Sequence, residues 1–213
     1  MDVNMIVSKI NAGLSDEGRT GRYAQMVRNM GEANGQRKVL GDRKFEAAVG
    51  EVVTWTTEYI RRVPEILQEM STAAESAGVL HDLTPFMVAV EKYWREQIDV
   101  IPDHMGLVGV LDDAYYSLWM TQRFSEDYQS KVGKPLLSND LSIANSAARQ
   151  LIGEPFSTQI EQGVRTQLNL PAVTQVLTAL LKFNSTFNTP DPIWGNASVD
   201  DIVKTRMGAM GIF

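Results

Sequence analysis

The stretch IDVIPDHMGLVGVLDD, residues 98–113, carries the strongest structural signal in the chain and is called the acidic corner below. It places four aspartates around one proline and two glycines. Pro102 disfavours helical angles in the residue before it, so a preceding helix should end near Asp99. The glycines permit a tight turn, after which Asp112 can cap a new helix and Asp113 can lie in its first turn. The stretch therefore predicts a corner between two helices.

Apolar residues recur at intervals of three and four on both sides of the acidic corner, as on one face of a helix. Caps and breakers divide this pattern into segments. The predicted helices cover approximately residues 3–14, 23–30, 42–77 with an end or kink at Pro64, 84–98, 111–132, 141–152, two segments that begin near Pro155 and Pro171, and a last one after Ser198. No alternation of period two is found in the sequence. These patterns predict an all-α bundle of about eight helices with a central helical hairpin.

Domain boundaries are weakly marked. We predict N-terminal helices in residues 1–36, a helical domain in residues 37–133, and C-terminal helices with a tail in residues 134–213. The glycine and proline residues near positions 133–138 favour the second boundary. A single bundle that includes all three parts is an equally good interpretation.

The composition narrows the functional classes. A formal charge of −6 and a pI near 5.0 argue against a general grip on nucleic acid or acidic membranes, both of which favour clustered Lys and Arg. The absence of cysteine excludes disulfides, thiolate metal sites and cysteine nucleophiles. The first residues do not resemble a secretion signal, and the most apolar window, residues 100–120, contains several charged or polar side chains. We therefore expect a cytoplasmic protein.

The acidic corner resembles the signature of the YkvA-like domain, an uncharacterised helical family of bacterial proteins. The pattern D-x-I-P-D, a short apolar spacer and G-x-x-D-D is matched at every position, namely at Asp99, Ile101, Pro102, Asp103, Gly109, Asp112 and Asp113. Two spacer positions differ, since the family commonly has a second proline where Gly106 stands and an apolar residue where His104 stands. The resemblance covers about residues 87–123. It implies a helical hairpin of unknown biochemical role, found in some members beside membrane segments.

Two interpretations of the four aspartates stay open. In the structural one, they cap turns and helix ends or pair with a nearby cation such as Arg95. In the other, a hairpin brings Asp99 and Asp103 opposite Asp112 and Asp113, which would suit Mg²⁺ or Ca²⁺ because these ions prefer several carboxylate oxygens. His104 is then a candidate fifth ligand or proton carrier, against the alternative of a surface loop residue.

Aromatic side chains flank the acidic corner at helical spacing. Such residues usually form core, and a ligand pocket or subunit interface is the alternative. They are Tyr93, Trp94, Tyr115, Tyr116 and Trp119.

The sequence closes on RMGAMGIF, residues 206–213, which combines apolar side chains with two glycines. By default such a tail is disordered. Exposed Ile212 and Phe213 would nevertheless be unfavourable, so the tail could dock on its own core or in a neighbouring copy and contribute to self-association.

These observations favour a non-enzymatic helical interaction or scaffold module that associates with itself as a homo-oligomer or with another protein. No cofactor is expected beyond a possible Mg²⁺ or Ca²⁺ ion. One alternative is a divalent-metal-dependent enzyme, such as a hydrolase, with the four aspartates as ligands and His104 in proton transfer. Another is peripheral membrane attachment through the apolar segment 105–111.

Overall fold

The computed structural model of the protein describes residues 2–76, 78–96, 100–102, 105–133, 136–137, 140–182 and 207–212. Within these ranges the chain forms ten principal α-helices and no strands, which confirms the all-α prediction. The helices are α1 (Val3–Ser15), α2 (Glu17–Ala33), α3 (Gln36–Leu40), α4 (Asp42–Arg61), α5 (Val63–Ser76), α6 (Thr84–Arg95), α7 (Leu107–Val132), α8 (Ser142–Ile152), α9 (Phe156–Leu168) and α10 (Pro171–Lys182). None of these described helices is both long enough and apolar enough to cross a membrane.

Helix α7 is the centre of the bundle. It packs against α1, α2, α4, α5, α6, α8, α9 and α10. Its buried residues include polar ones, since Asp112, Asp113, Ser117 and Thr121 are each at most 1% exposed. A helix that is buried around most of its circumference needs partners for such groups, and α7 obtains some of them from α6 and from the loop before α7.

The structure corrects the bounds of the two helices at the acidic corner. Helix α6 ends at Arg95 rather than near position 98, and α7 begins at Leu107 rather than at position 111. Gly106, with a φ of 97°, occupies the N-cap position of α7, and no side chain caps that helix end. Asp112 and Asp113 therefore lie in the second turn of α7, so the prediction that they occupy its N-terminus is wrong. Gly109 is accommodated within the helix at a cost of about 1 kcal/mol.

Other helix boundaries follow the sequence signals. The backbone N–H of Ser142 donates to Oδ1 of Asp140 at 2.8 Å, which satisfies an amide at the start of α8. Gly133 and Gly153 end α7 and α8 with φ values of 77° and 76°, in a region that favours glycine. Pro171 is the first residue of α10, where its missing N–H costs nothing.

Residues 207–212, called the terminal segment below, dock on the core of their own chain, which is one of the alternatives considered for the tail, rather than being disordered by default. The N–H of Ile212 donates to the carbonyl of Met207 at 3.1 Å, and the N–H of Gly211 donates to that of Gly208 at 3.0 Å. Gly211 has a φ of 64°. This pair of bonds around a left-handed glycine is a Schellman motif, which ends a helical turn. The helix predicted after Ser198 and residue Phe213 lie outside the described residues.

The domain division at residues 36 and 133 stays a prediction. Helix α2 packs against α4, and α7 packs against α8, α9 and α10. Contacts among the described helices thus cross both predicted boundaries.

Candidate functional site

The acidic corner is held together by the carboxylate of Asp112. This side chain is fully buried, and its Oδ2 accepts a hydrogen bond from the backbone N–H of Ile101 at 3.1 Å. The same oxygen accepts a second bond from the hydroxyl of Tyr93 at 3.2 Å. Asp112 therefore joins three pieces of the chain, namely α6, the loop at 100–102 and α7.

The aromatic residues beside the corner mainly form core, as one of the two interpretations predicted. Trp94 is fully buried, and its Nε1 donates to Oγ of Ser117 at 2.8 Å. Tyr93 stacks on Tyr116 with ring centroids 3.8 Å apart. Burial, and secondarily the carboxylate of Glu96, raises the pKa of Tyr116 to about 12, so its phenol stays neutral at physiological pH.

Of the residues in the predicted metal site, the structure describes Asp112 and Asp113. Asp99, Asp103 and His104 lie outside the described residues. Within the part of the chain that the structure describes, no group of three or more Asp, Glu or His side chains is placed to hold a metal ion. The four-aspartate site for Mg²⁺ or Ca²⁺, with His104 as an additional ligand, stays a prediction.

The segment 105–111, considered above as a membrane contact, presents little apolar surface. Met105 is 54% exposed, whereas Leu107, Val110 and Leu111 are buried at the start of α7. Most of its apolar side chains are therefore packed in the core and are not exposed on the surface.

A second candidate site lies where α2, α3 and α4 meet. The side chains of Met207, Met210 and Ile212 are 0%, 0% and 4% exposed, so the terminal segment inserts its apolar side chains into the bundle. The residues that receive it are called the socket below. They are Gly31, Asn34, Gln36 and Phe45.

Gly31 makes room for the terminal segment. A Cβ atom at this position would lie 2.8 Å from Cε2 of Phe45 and would collide with Cε of Met210. The missing side chain thus forms the space that the methionine occupies. Gly211 is constrained mainly by its backbone, since its φ of 64° lies in the region that favours glycine, and a Cβ there would also lie 2.9 Å from Nε2 of Gln36.

Asn34 binds the backbone of the terminal segment. Its Nδ2 donates to the carbonyl of Gly211 at 3.1 Å and to that of Met210 at 3.4 Å. These carbonyls belong to the end of the helical turn, where backbone acceptors lack partners within the helix. The segment is therefore held by both its side chains and its main chain.

Ion pairs fix the helices that form the socket. Arg28 on α2 pairs with Glu46 on α4 at 2.8 Å. Arg37 on α3 pairs with Glu46 at 2.9 Å and with Asp42 at 3.0 Å, and its guanidinium lies 4.6 Å from the centroid of the Phe45 ring. The hydrogen bond from Arg28, with the charges of both arginines, lowers the pKa of the Glu46 carboxyl. The network joins α2, α3 and α4 around Phe45.

A shallow groove of about 460 Å³ lies between the start of α6 and α10. Its lining combines polar and apolar side chains from His81, Asp82, Thr84, Pro85, Val88, Ala172, Gln175 and Val176. Val88 is 53% exposed, and the nearby sequence position Leu80 is 44% exposed. The groove is a surface feature, and the terminal segment does not line it.

Sequence reasoning identified the acidic corner but missed the socket. The terminal segment carries a readable signal, because glycine at the C′ position with apolar residues at 207 and 212 has the spacing of a Schellman motif. Gly31 and Asn34 lie among ordinary helical residues, and their role appears only when α2 and α4 are packed.

Comparisons of the chain with protein-family models, with curated proteins and with solved structures found no match. The YkvA-like resemblance of the acidic corner stays a prediction.

Proposed function

We propose that the protein is a non-enzymatic helical interaction module and that the socket is its recognition site for a short apolar peptide segment. The observation that carries the proposal is the terminal segment itself, which buries three apolar side chains, sets Met210 against Gly31 of the socket, and presents two backbone carbonyls to Asn34. Recognition of short segments in proteins commonly combines these two kinds of contact.

The socket has defined chemical preferences. Asn34 donates hydrogen bonds to main-chain carbonyls, which a segment of any sequence presents when it ends in a helical turn of this shape. Selectivity comes from the apolar side chains at positions 207, 210 and 212 and from the left-handed glycine at 211. Methionine suits an irregular cavity because its side chain is unbranched and flexible. The preferred ligand is therefore a short segment with apolar residues at the first, fourth and sixth positions and glycine at the fifth.

The acidic corner has a structural part in this proposal. The carboxylate of Asp112 accepts bonds from Ile101 and Tyr93, both of which stabilise the packing of α6 and α7. Its contacts with backbone and phenol explain a buried acid in α7 without a catalytic role. The socket, in contrast, is formed on the face of the bundle that α2, α3 and α4 provide.

The test uses a full-length Met210→Asp variant, in which a charge prevents the terminal segment from docking and leaves the socket accessible. A fluorescent peptide with the sequence of residues 207–213 should bind this variant with a Kd of about 0.1 mM, as expected for a few buried apolar side chains. Fluorescence anisotropy measures the binding. The matched control is the same peptide with Asp at the position of Met210. Equal binding of both peptides, or of neither, would contradict the proposal.

A further inference from the structure

We propose that the socket also accepts the terminal segment of a second copy of this chain, so that two copies associate by exchanging these segments. The inference rests on the proposed recognition role of the socket and names its partner. Every copy carries the ligand, since residues 207–212 already fit the socket.

The contacts that join the helices of the socket do not involve the terminal segment. These helices are joined by the Arg28–Glu46 and Arg37–Glu46 ion pairs, neither of which involves the segment. A buried hydrogen bond of 2.9 Å between the hydroxyls of Tyr23 and Thr56 also joins α2 to α4. A site that is formed before its ligand arrives loses little ordering entropy on binding.

The contact between segment and socket is small enough to open locally. The segment contributes the buried side chains of Met207, Met210 and Ile212, together with its bonds to Asn34. The backbone hydrogen bonds of its helical turn join residues of the segment to one another, so undocking does not break them. Parts of a fold with few buried contacts open with less free energy than global unfolding requires, so undocking leaves the bundle folded.

An undocked chain exposes two apolar surfaces, the socket and the segment. A second undocked copy covers both, because its segment enters the first socket and its socket receives the first segment. This exchange reproduces the intramolecular contacts and forms a closed two-fold arrangement in which no recognition surface is left over.

Two full-length variants separate the two halves of the contact. Gly31→Val fills the socket, since even a Cβ atom there collides with Phe45 and Met210, and leaves the terminal segment intact. Met210→Asp leaves the socket intact and disables the segment. Each variant alone should be monomeric. An equimolar mixture at about 0.5 mM should contain a complex of twice the 23.7 kDa chain mass, measured by sedimentation velocity.

Gly21→Val is the matched control for Gly31→Val, because both glycines lie in α2 and a Cβ at Gly21 meets no atom within 4 Å. Gly21→Val keeps both the socket and the segment, so this control alone at the same concentration should associate with itself, whereas Gly31→Val alone should not. Circular dichroism of each variant checks folding. If Gly31→Val is not helical, Gly31→Ala replaces it with a smaller obstruction at the same point.

The outcomes distinguish this inference from the proposed function. A mixture that stays monomeric while the 207–213 peptide binds Met210→Asp overturns exchange between copies and leaves peptide recognition standing. If neither the peptide nor the second chain binds, both proposals fall. If Gly31→Val associates with itself as strongly as Gly21→Val does, the exchange is also overturned, because the association would then not pass through the socket.

Discussion

The hydroxyl of Tyr59 donates a hydrogen bond to Oδ1 of Asn145 at 2.6 Å, across 86 positions of sequence. Nδ2 of Asn145 donates in turn to Oε1 of Gln122 at 2.6 Å. This relay crosses α4, α8 and α7 in the buried part of the bundle. Burial raises the pKa of Tyr59 well above its ordinary value, so its phenol remains a neutral donor at physiological pH.

Breaking this relay should destabilise the bundle. We expect Asn145→Ala to lower the free energy of unfolding by ~1 to 3 kcal/mol, because it leaves buried polar partners unsatisfied. Tyr59→Phe should cost about 1 kcal/mol. Urea unfolding of the two single variants and the double variant gives the coupling energy, and purely additive effects would show that the two side chains do not act together.

The acidic corner supplies a second prediction. Asp112→Ala removes the acceptor for the buried N–H of Ile101 and should lower the free energy of unfolding by about 1 to 3 kcal/mol. Tyr93→Phe, which removes one donor to this carboxyl group and leaves the bond from Ile101, should cost less. Thermal and urea unfolding measure both. A wild-type stability for Asp112→Ala would contradict the structural role of this carboxylate.

Metal binding can be tested on the same residues. If the aspartates of the acidic corner have a structural role, calorimetric titration with MgCl₂, MnCl₂ or CaCl₂ to millimolar concentration should give no saturable heat. The substitutions Asp112→Asn and Asp113→Asn should then chiefly lower the melting temperature. Saturable binding that disappears in these variants, with stability unchanged, would instead favour the metal-dependent enzyme.

Two glycines of α2 should respond to alanine in opposite directions. Gly21 is exposed and a Cβ there meets nothing, so Gly21→Ala should stabilise the protein by up to about 1 kcal/mol through helix propensity. Gly31→Ala places its Cβ against Phe45 and Met210 and should lower stability despite the same propensity gain. Unfolding curves of both variants decide this, and two stabilised variants would show that the socket is looser than described.

Acid should loosen the helices of the socket. Because the pKa of Glu46 is lowered in the folded protein, first by its hydrogen bond from Arg28, its stabilising contribution is fully present above the ordinary value of 4.5. That contribution is lost as the pH falls through the lowered pKa. Peptide binding by Met210→Asp should weaken over this range, and Glu46→Gln should reduce the weakening. Identical pH profiles would exclude Glu46 as the cause.

The sequence predicted helix positions well where a stop signal was unambiguous, as at Gly133 and Gly153. It misplaced the start of α7 because either glycine of the acidic corner could break the helix, and only packing shows that Gly106 does so while Gly109 remains helical. The relay through Asn145 was also missed. A single polar residue on an apolar helix face acquires its partners from distant helices, and local periodicity contains no information about them.

Helix α7 packs against helices that precede it and helices that follow it in the chain. During synthesis, α1 to α6 emerge before α7, so a side chain such as Trp94, which donates to Ser117 of α7 in the folded protein, lacks its partner until α7 follows. Incomplete chains at this stage expose hydrophobic surface, which makes folding intermediates prone to aggregation and is the reason that chaperones are needed. The protein can complete its core only after α7 and the helices that follow it have been translated.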